Sequence, residues 1–133
     1  MMTNKYFIHT LLIIIVSISL NNCADGDDDD AVHELTVTEC NAIHDSCKAF
    51  SESVSEQYQC IYSEPASTGC QIETEGYYYQ TYYECAKKKA GSQCRMLLLG
   101  EKKCLATCYY DKIGYGSKEQ AEEECAVECI NDY

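Results

Sequence analysis

Cysteine is the residue type with the widest chemical options in this chain, because a thiol can form a disulfide, ligate a metal ion or act as a nucleophile. The sequence contains 11 cysteines. Cys23 lies in an N-terminal segment that we expect to be removed, which leaves an even set for five disulfides. No C-x-x-C pair or cysteine–histidine cluster of zinc spacing occurs, so disulfides are favoured over a metal site. The even set is Cys40, Cys47, Cys60, Cys70, Cys85, Cys94, Cys104, Cys108, Cys125 and Cys129.

The last four cysteines form two C-x-x-x-C pairs, Cys104 with Cys108 and Cys125 with Cys129. Residues at i and i+4 lie on the same face of a helix. Two such helices joined by a short loop place the pairs opposite each other in an antiparallel hairpin. The spacing therefore predicts the disulfides Cys104–Cys129 and Cys108–Cys125. The pairing of the other six cysteines stays open, except that Cys40 and Cys47 lie too far apart on one helix to bridge each other.

The span 104–129 resembles the disulfide-linked helical hairpins of plant defence peptides and of some scorpion potassium-channel toxins. It is also similar to the twin C-x-x-x-C chaperones of the mitochondrial intermembrane space. The resemblance implies the hairpin geometry and says little about activity. The apolar N-terminal segment favours the secreted versions over the mitochondrial one.

A second stretch, Cys40-Asn41-Ala42-Ile43-His44-Asp45-Ser46-Cys47, has the form C-x-x-x-H-D-x-C within a predicted helix. It resembles the active-site helix of secreted calcium-dependent phospholipases of the A-two type. The resemblance implies that His44 acts as the general base on a water molecule. It also implies that Asp45 is a calcium ligand.

The phospholipase-like stretch departs from that family at three places. Asn41 occupies the position of a second family cysteine, and Ala86 follows Cys85 where an acidic residue is expected on the facing helix. A glycine-rich calcium loop is missing, since residues 25–39 contain only Gly26. The alternative is a structural helix or a non-catalytic relative. We therefore predict no enzymatic activity, no metal site and no cofactor.

Tyrosines and lysines are concentrated in the segment 77–89. Tyrosine offers a large, rigid contact area with a polar hydroxyl, and the three consecutive lysines add positive charge. The chain has no Trp and only 2 Phe, so some of these tyrosines are also needed for the core. We expect the tyrosines to divide between core and surface. The residues predicted to bind a partner are Tyr77, Tyr78, Tyr82, Lys87, Lys88 and Lys89.

The N-terminus has the pattern of a secretory signal. Lys5 precedes an apolar run that is too short to span a membrane, and we place cleavage after Ala24, so that residues 1–24 are removed. Residues 25–35 include four consecutive aspartates and are predicted to be an acidic, disordered tail or propeptide. The disulfide-rich domain then covers 36–133. We expect a secreted, extracellular protein with no stable insertion into a membrane.

Charge limits the classes of partner. The chain has a formal net charge of −12, which argues against nucleic acid or an anionic membrane as the main partner. Most of the basic residues lie between Cys85 and Cys104 and give the acidic body one basic face. This basic face is interpreted either as a recognition patch or as an ordinary solvated surface.

Helical signals dominate the domain. Thr36 and Glu39 match a capping box, and apolar residues recur at helical spacing from Cys40 to Ile61. Residues 63–76 are predicted to be a loop, and a short strand over 77–82 is an alternative to helix there. The predicted helices are 37–62, 76–90 with Gly91 as its cap, one from Ser92 to Tyr110 with Gly100 in its middle, and one from Ser117 to Ile130. The predicted fold is a small, all-α, disulfide-rich secreted domain of three to four helices with a C-terminal antiparallel hairpin.

These features predict a secreted, non-enzymatic effector that binds an extracellular receptor or channel. Toxin-like, pheromone-like and defence roles fit the sequence equally well. One alternative is a phospholipase-like hydrolase that uses His44 and Asp45. Another is an extracellular structural or storage protein without a tight partner. The sequence leaves the oligomeric state open.

Overall fold

The computed structural model describes residues 33–130. The predicted signal peptide, most of the predicted acidic tail and residues 131–133 lie outside the described residues. Between 33 and 130 the chain forms four α-helices and no strand, so the all-α, disulfide-rich fold is confirmed and the alternative strand over 77–82 is wrong. The elements are α1 (Val37–Glu56), α2 (Thr68–Ala90), a 3-10 turn (Arg95–Leu97), α3 (Leu99–Asp111) and α4 (Lys118–Cys129).

Helix α2 is the central element. It packs against α1 on one side and against α3 and α4 on another. Gly76 lets α3 approach closely, since a Cβ at that position would lie 3.3 Å from the Cβ of Tyr109. One buried cluster joins α1 to the second half of α2, and it contains Cys40, Cys47, Tyr82, Ala86, Ala90, Cys94 and Leu97. The other joins the first half of α2 to the hairpin, and it contains Ile72, Leu105, Cys108, Tyr109, Ala121, Cys125 and Cys129.

Disulfides fill much of both clusters, which compensates for the scarcity of large apolar side chains. Two of them link α3 to α4 and are the pairs that the twin spacing predicts, Cys104–Cys129 and Cys108–Cys125. Two more tie α1 to α2 and to the turn that follows it, Cys47–Cys85 and Cys40–Cys94. The fifth, Cys60–Cys70, closes the loop between α1 and α2. Each bridge stabilises the fold by about 2–4 kcal/mol, mainly because it restricts the unfolded chain.

Local capping signals determine where the helices begin. The Thr36 N–H donates to Glu39 Oε2 at 2.7 Å, and the Glu39 N–H donates to Thr36 Oγ1 at 3.2 Å, which completes the predicted capping box. The Gln120 N–H donates to Ser117 Oγ at 3.1 Å at the start of α4. Gly91 ends α2 with a φ of +59°, a conformation that glycine adopts without strain.

The predicted boundary between α1 and α2 is wrong on both sides. Helix α1 ends at Glu56 rather than at 62, and α2 begins at Thr68 within the predicted loop 63–76. The intervening segment leaves the helical path because its backbone N–H groups bond to a carboxylate on α2 and Cys60 is bonded to Cys70. Residues 68–76 are helical because Ile72, Glu73 and Gly76 are buried in this packing.

The predicted helix from Ser92 to Tyr110 is also divided. Leu98 has a φ of +45°, and this left-handed residue separates the 3-10 turn from α3. Gly100 therefore lies in the first turn of α3 rather than in the middle of a helix. Just before this break, Cys94 is bonded to Cys40, which attaches the 3-10 turn to α1.

Candidate binding surface

The six residues predicted to bind a partner lie on different sides of α2. Tyr78, Tyr82 and Lys89 recur at helical spacing on the side of α1. The Lys89 Nζ donates to Ser46 Oγ on α1 at 3.0 Å, so its ammonium group is already engaged there. Tyr77, Lys87 and Lys88 lie elsewhere on the helix, and the two lysines are exposed. The structure therefore does not bring the six residues together on one surface.

Tyr82 was predicted to bind a partner at the surface, but only 2% of the residue is exposed. It belongs to the core between α1 and α2, and its hydroxyl lies 2.6 Å from His44 Nδ1. Burial, followed by the negative charges of Tyr78 and Asp45, raises the pKa of Tyr82 to about 12. The hydroxyl therefore keeps its proton at neutral pH and can donate it to a neutral imidazole.

The phospholipase-like stretch lies on α1, and the disulfides of Cys40 and Cys47 attach it to the α2 region. Ala86, at the position expected for a carboxylate, is fully buried, and the ring contact of His44 is with Tyr82. Asp45 is exposed. Across residues 33–130, no group of three or more His, Cys, Asp or Glu side chains is placed to hold a metal ion.

A tyrosine-rich groove of about 640 Å³ opens between α2, the end of α3 and the loop that follows α1. We call it the tyrosine groove. Two of its rings, Tyr58 and Tyr77, are stacked with centroids 4.1 Å apart. Two others, Tyr62 and Tyr110, meet edge to face at 6.4 Å. It is lined by Tyr58, Ile61, Tyr62, Tyr77, Gln80, Tyr110 and Ile113.

The rim of the groove exposes two neighbouring apolar side chains. Ile61 is 74% exposed and Tyr62 is 73% exposed. The helical spacing of apolar residues from Cys40 to Ile61 predicted one buried stripe on the helix 37–62, which would include Ile61 and also Phe50, and Phe50 is 53% exposed. Both assignments are wrong, because α1 buries only the narrow side that faces α2 and Ile61 lies beyond its end.

A buried carboxylate fixes this rim. Glu73 on α2 is 0% exposed, and its Oε1 accepts the Ile61 N–H at 2.6 Å, the Tyr62 N–H at 3.1 Å and the Tyr58 hydroxyl at 2.9 Å. Desolvation would raise the pKa of Glu73, but these hydrogen bonds and one from the Ser63 backbone lower it below the usual 4.5. The charged form is thus stable in the interior, as expected for a carboxylate with several donors.

A basic and aromatic patch continues the surface along α2 and α3. Lys87 Nζ lies 5.6 Å from the centre of the Tyr83 ring, and Lys103 Nζ lies 6.0 Å from it. A hollow of about 380 Å³ next to this patch shares Gln80 and Tyr110 with the tyrosine groove. Of the predicted binding residues, Tyr77 therefore lines the groove and Lys87 belongs to the adjoining patch.

Sequence reasoning missed most of the residues that line the groove. One usable signal was present: Cys60 and Cys70 are close in sequence, and the apolar pair Ile61-Tyr62 follows the first of them directly. A short cross-linked loop offers few residues against which both side chains could pack, so these side chains are expected to be exposed. The contribution of Tyr110 had no local signal, because it depends on how α3 packs on Gly76.

Comparison of the chain with models of known protein families, with curated proteins and with solved structures found no match. Among the described residues, no helix has the length and apolar character needed to cross a membrane. The chemistry of the surface itself is therefore the guide to function.

Proposed function

We propose that this protein is a secreted, non-enzymatic effector that binds an extracellular protein through the tyrosine groove. The observation that carries the proposal is that Ile61 and Tyr62 project from a backbone that is held in place. Both are largely exposed, yet their backbone is held by Glu73 and by the Cys60–Cys70 bridge. A backbone segment that is already ordered loses less conformational freedom on association.

The composition of the groove also fits a protein contact. Tyrosine is enriched among the residues that contribute most to binding energy, and aromatic rings pack in stacked or edge-to-face pairs. The four rings of the groove are arranged in two such pairs. Five disulfides support the extracellular setting, since such bridges persist in oxidising compartments.

A capture experiment tests the proposal. The oxidised protein is immobilised and exposed to extracellular and cell-surface extracts, and each retained protein is then purified and its affinity measured by calorimetry. We expect the double variant Ile61→Ser/Tyr62→Ser to lose at least about tenfold in affinity, as hot-spot residues do. The variant Phe50→Ser removes another exposed apolar side chain, from α1, and serves as the control. Equal affinity of all three proteins would contradict the proposal.

The second candidate is the phospholipase-like hydrolase, favoured by the 2.6 Å contact that orients His44. Its test is a calcium titration followed by a phospholipid-hydrolysis assay on the same sample. Saturable calcium binding with turnover, both lost in His44→Gln or Asp45→Asn, would replace the first proposal. A structural or storage protein instead predicts that changes in the tyrosine groove alter no binding at all.

A further inference from the structure

The tyrosine groove has aromatic walls, and none of the seven described residues that line it carries a charge. The faces of aromatic rings are electronegative and their edges electropositive. A groove bounded by four rings therefore offers negative potential without a formal charge. Groups that match such walls are flat or compact cations, which are attracted to the ring faces.

Carboxylates increase this negative potential. Glu73 lies behind the wall and accepts the Tyr58 hydroxyl at 2.9 Å. Glu84 and Asp111 line the adjoining hollow, together with Lys103. The Gln80 amide donates to Glu84 at 3.3 Å, so the Gln80 oxygen is the part of that side chain left to accept a hydrogen bond. Burial, and then the charge of Glu73, raises the pKa of Tyr110.

Two lysines close to the groove, Lys112 and Lys103, make their contacts outside it. Lys112, next to Ile113, lies 2.9 Å from Glu124 Oε2 and 4.6 Å from the centre of the Tyr115 ring. Lys103 is placed over Tyr83, outside the groove. With a net charge of −12 on the whole chain, the molecule attracts positively charged partners from a distance.

From this arrangement we infer that the tyrosine groove receives an arginine side chain of the partner protein. The inference rests on the proposed function and names the chemistry of the contact. A guanidinium group stacks flat on tyrosine rings and can donate to the Gln80 oxygen while its alkyl stem packs against Ile61. The groove volume of about 640 Å³ exceeds one side chain and leaves room for the flanking backbone.

The test uses n-propylguanidinium, an analogue of the arginine side chain, and n-propylurea, which is neutral with nearly the same shape. Each is titrated into the oxidised protein with isotope-labelled tyrosine rings, followed by nuclear magnetic resonance. We expect saturable shifts of the groove tyrosines, with an affinity at least about threefold higher for the guanidinium. Tyr115, which lies outside the groove, should not respond.

A matched pair of variants separates the groove from the general charge of the protein. Gln80→Lys places a positive charge in the groove, whereas Gln57→Lys makes the same change at the exposed C-terminal cap of α1. We expect Gln80→Lys to abolish the response to n-propylguanidinium and to weaken capture of the partner. Gln57→Lys should leave both measurements close to those of the original protein.

Four results would overturn the inference. Equal affinity for n-propylurea would mean that the groove selects shape, and the absence of any shift would mean that it binds no such cation. A stronger response to tetramethylammonium would assign the groove to a quaternary ammonium ligand. A dimer that Ile61→Ser/Tyr62→Ser dissociates would assign it to a second copy of this chain. The proposed function is judged separately, by whether capture depends on Ile61 and Tyr62.

Discussion

Glu73 connects the interior of the protein to the rim of the tyrosine groove. The carboxylate is fully buried on α2, yet its hydrogen bonds fix the backbone of the exposed residues Ile61 and Tyr62. A buried charge is stable only when donors satisfy it, and here backbone N–H groups and the Tyr58 hydroxyl do so. The buried carboxylate of Glu73 thus fixes the backbone of the exposed rim formed by Ile61 and Tyr62.

Replacing Glu73 with Gln should destabilise the fold by about 2–3 kcal/mol, because an amide cannot accept all of these hydrogen bonds. Urea unfolding measures the loss, and Glu64→Gln on the exposed part of the same loop is the control. The folded pKa of Glu73 lies below its unfolded value, so its contribution is present above about pH 5 and is lost as the pH falls through the lowered pKa. If the difference in the free energy of unfolding between the original protein and Glu73→Gln does not become smaller in acid, the charged form of Glu73 is not the source of this stability.

Tyr82 and His44 form a part-buried polar contact between α2 and α1, at 2.6 Å. Replacing Tyr82 with Phe keeps the ring and removes the hydroxyl, so we expect a loss of about 1 kcal/mol in the free energy of unfolding. The same change at Tyr83, which is less buried and has no such bond, should be close to neutral. If Tyr82→Phe leaves the stability unchanged, the contact is not a stabilising one.

At the scale of elements, the sequence predicted the helix ends that depend on local signals, but it did not predict the long-range packing. Thr36, Ser117 and Gly91 act within a few residues of themselves, and each lies at the helix end that the sequence predicts. The cysteine spacing in 104–129 likewise encodes one hairpin, because it follows helical periodicity. These signals predicted most of the fold.

The errors arose where distant residues override local preference. Tyr58 and Ile61 continue the helical spacing of α1. The helix nevertheless ends before them, because this segment is hydrogen-bonded to Glu73 and cross-linked to Cys70. Residues 68–76 resemble a loop in composition, yet burial against α3 makes them helical. The tyrosine groove forms where these two departures meet, so the sequence alone predicted only Tyr77 among its residues.

The loop closed by Cys60–Cys70 should matter more for binding than for stability. Its bridge spans 10 residues, whereas Cys47–Cys85 spans 38, so replacing the shorter bridge with two alanines should cost about 1 kcal/mol less. Thermal unfolding measures the difference. The variant without Cys60–Cys70 should stay helical and lose capture of the partner. Full capture by this variant would show that the bridge does not order the rim.

At the scale of the whole molecule, tyrosines and disulfides replace the large apolar side chains that the chain lacks. Burial raises the pKa of Tyr79 and of Tyr82 to about 12, from an ordinary value of 10. The unfolded chain therefore ionises these phenols first. Their stabilising contribution is complete below about pH 10 and is lost as the pH rises toward 12.

Alkaline titration follows from this property of the core. Urea unfolding at a series of pH values should give a constant free energy from about pH 7 to about pH 9.5 and a decrease between about pH 10 and 12. Tyrosinate absorbance in the folded state should show a fraction of residues that ionise only near pH 12. A single titration of all tyrosines at pH 10 would contradict the burial of Tyr79 and Tyr82.

The tyrosine groove is, in our proposal, the place where this protein binds its partner. Site-specific photo-crosslinking tests this most directly, with benzoylphenylalanine placed at Tyr62 in one protein and at Phe50 in another. Both positions are exposed, so general reactivity is matched. We predict that position 62 crosslinks one saturable extracellular protein and that position 50 does not. Crosslinking at both positions alike, or at neither in an extract that contains a captured partner, would contradict the proposal.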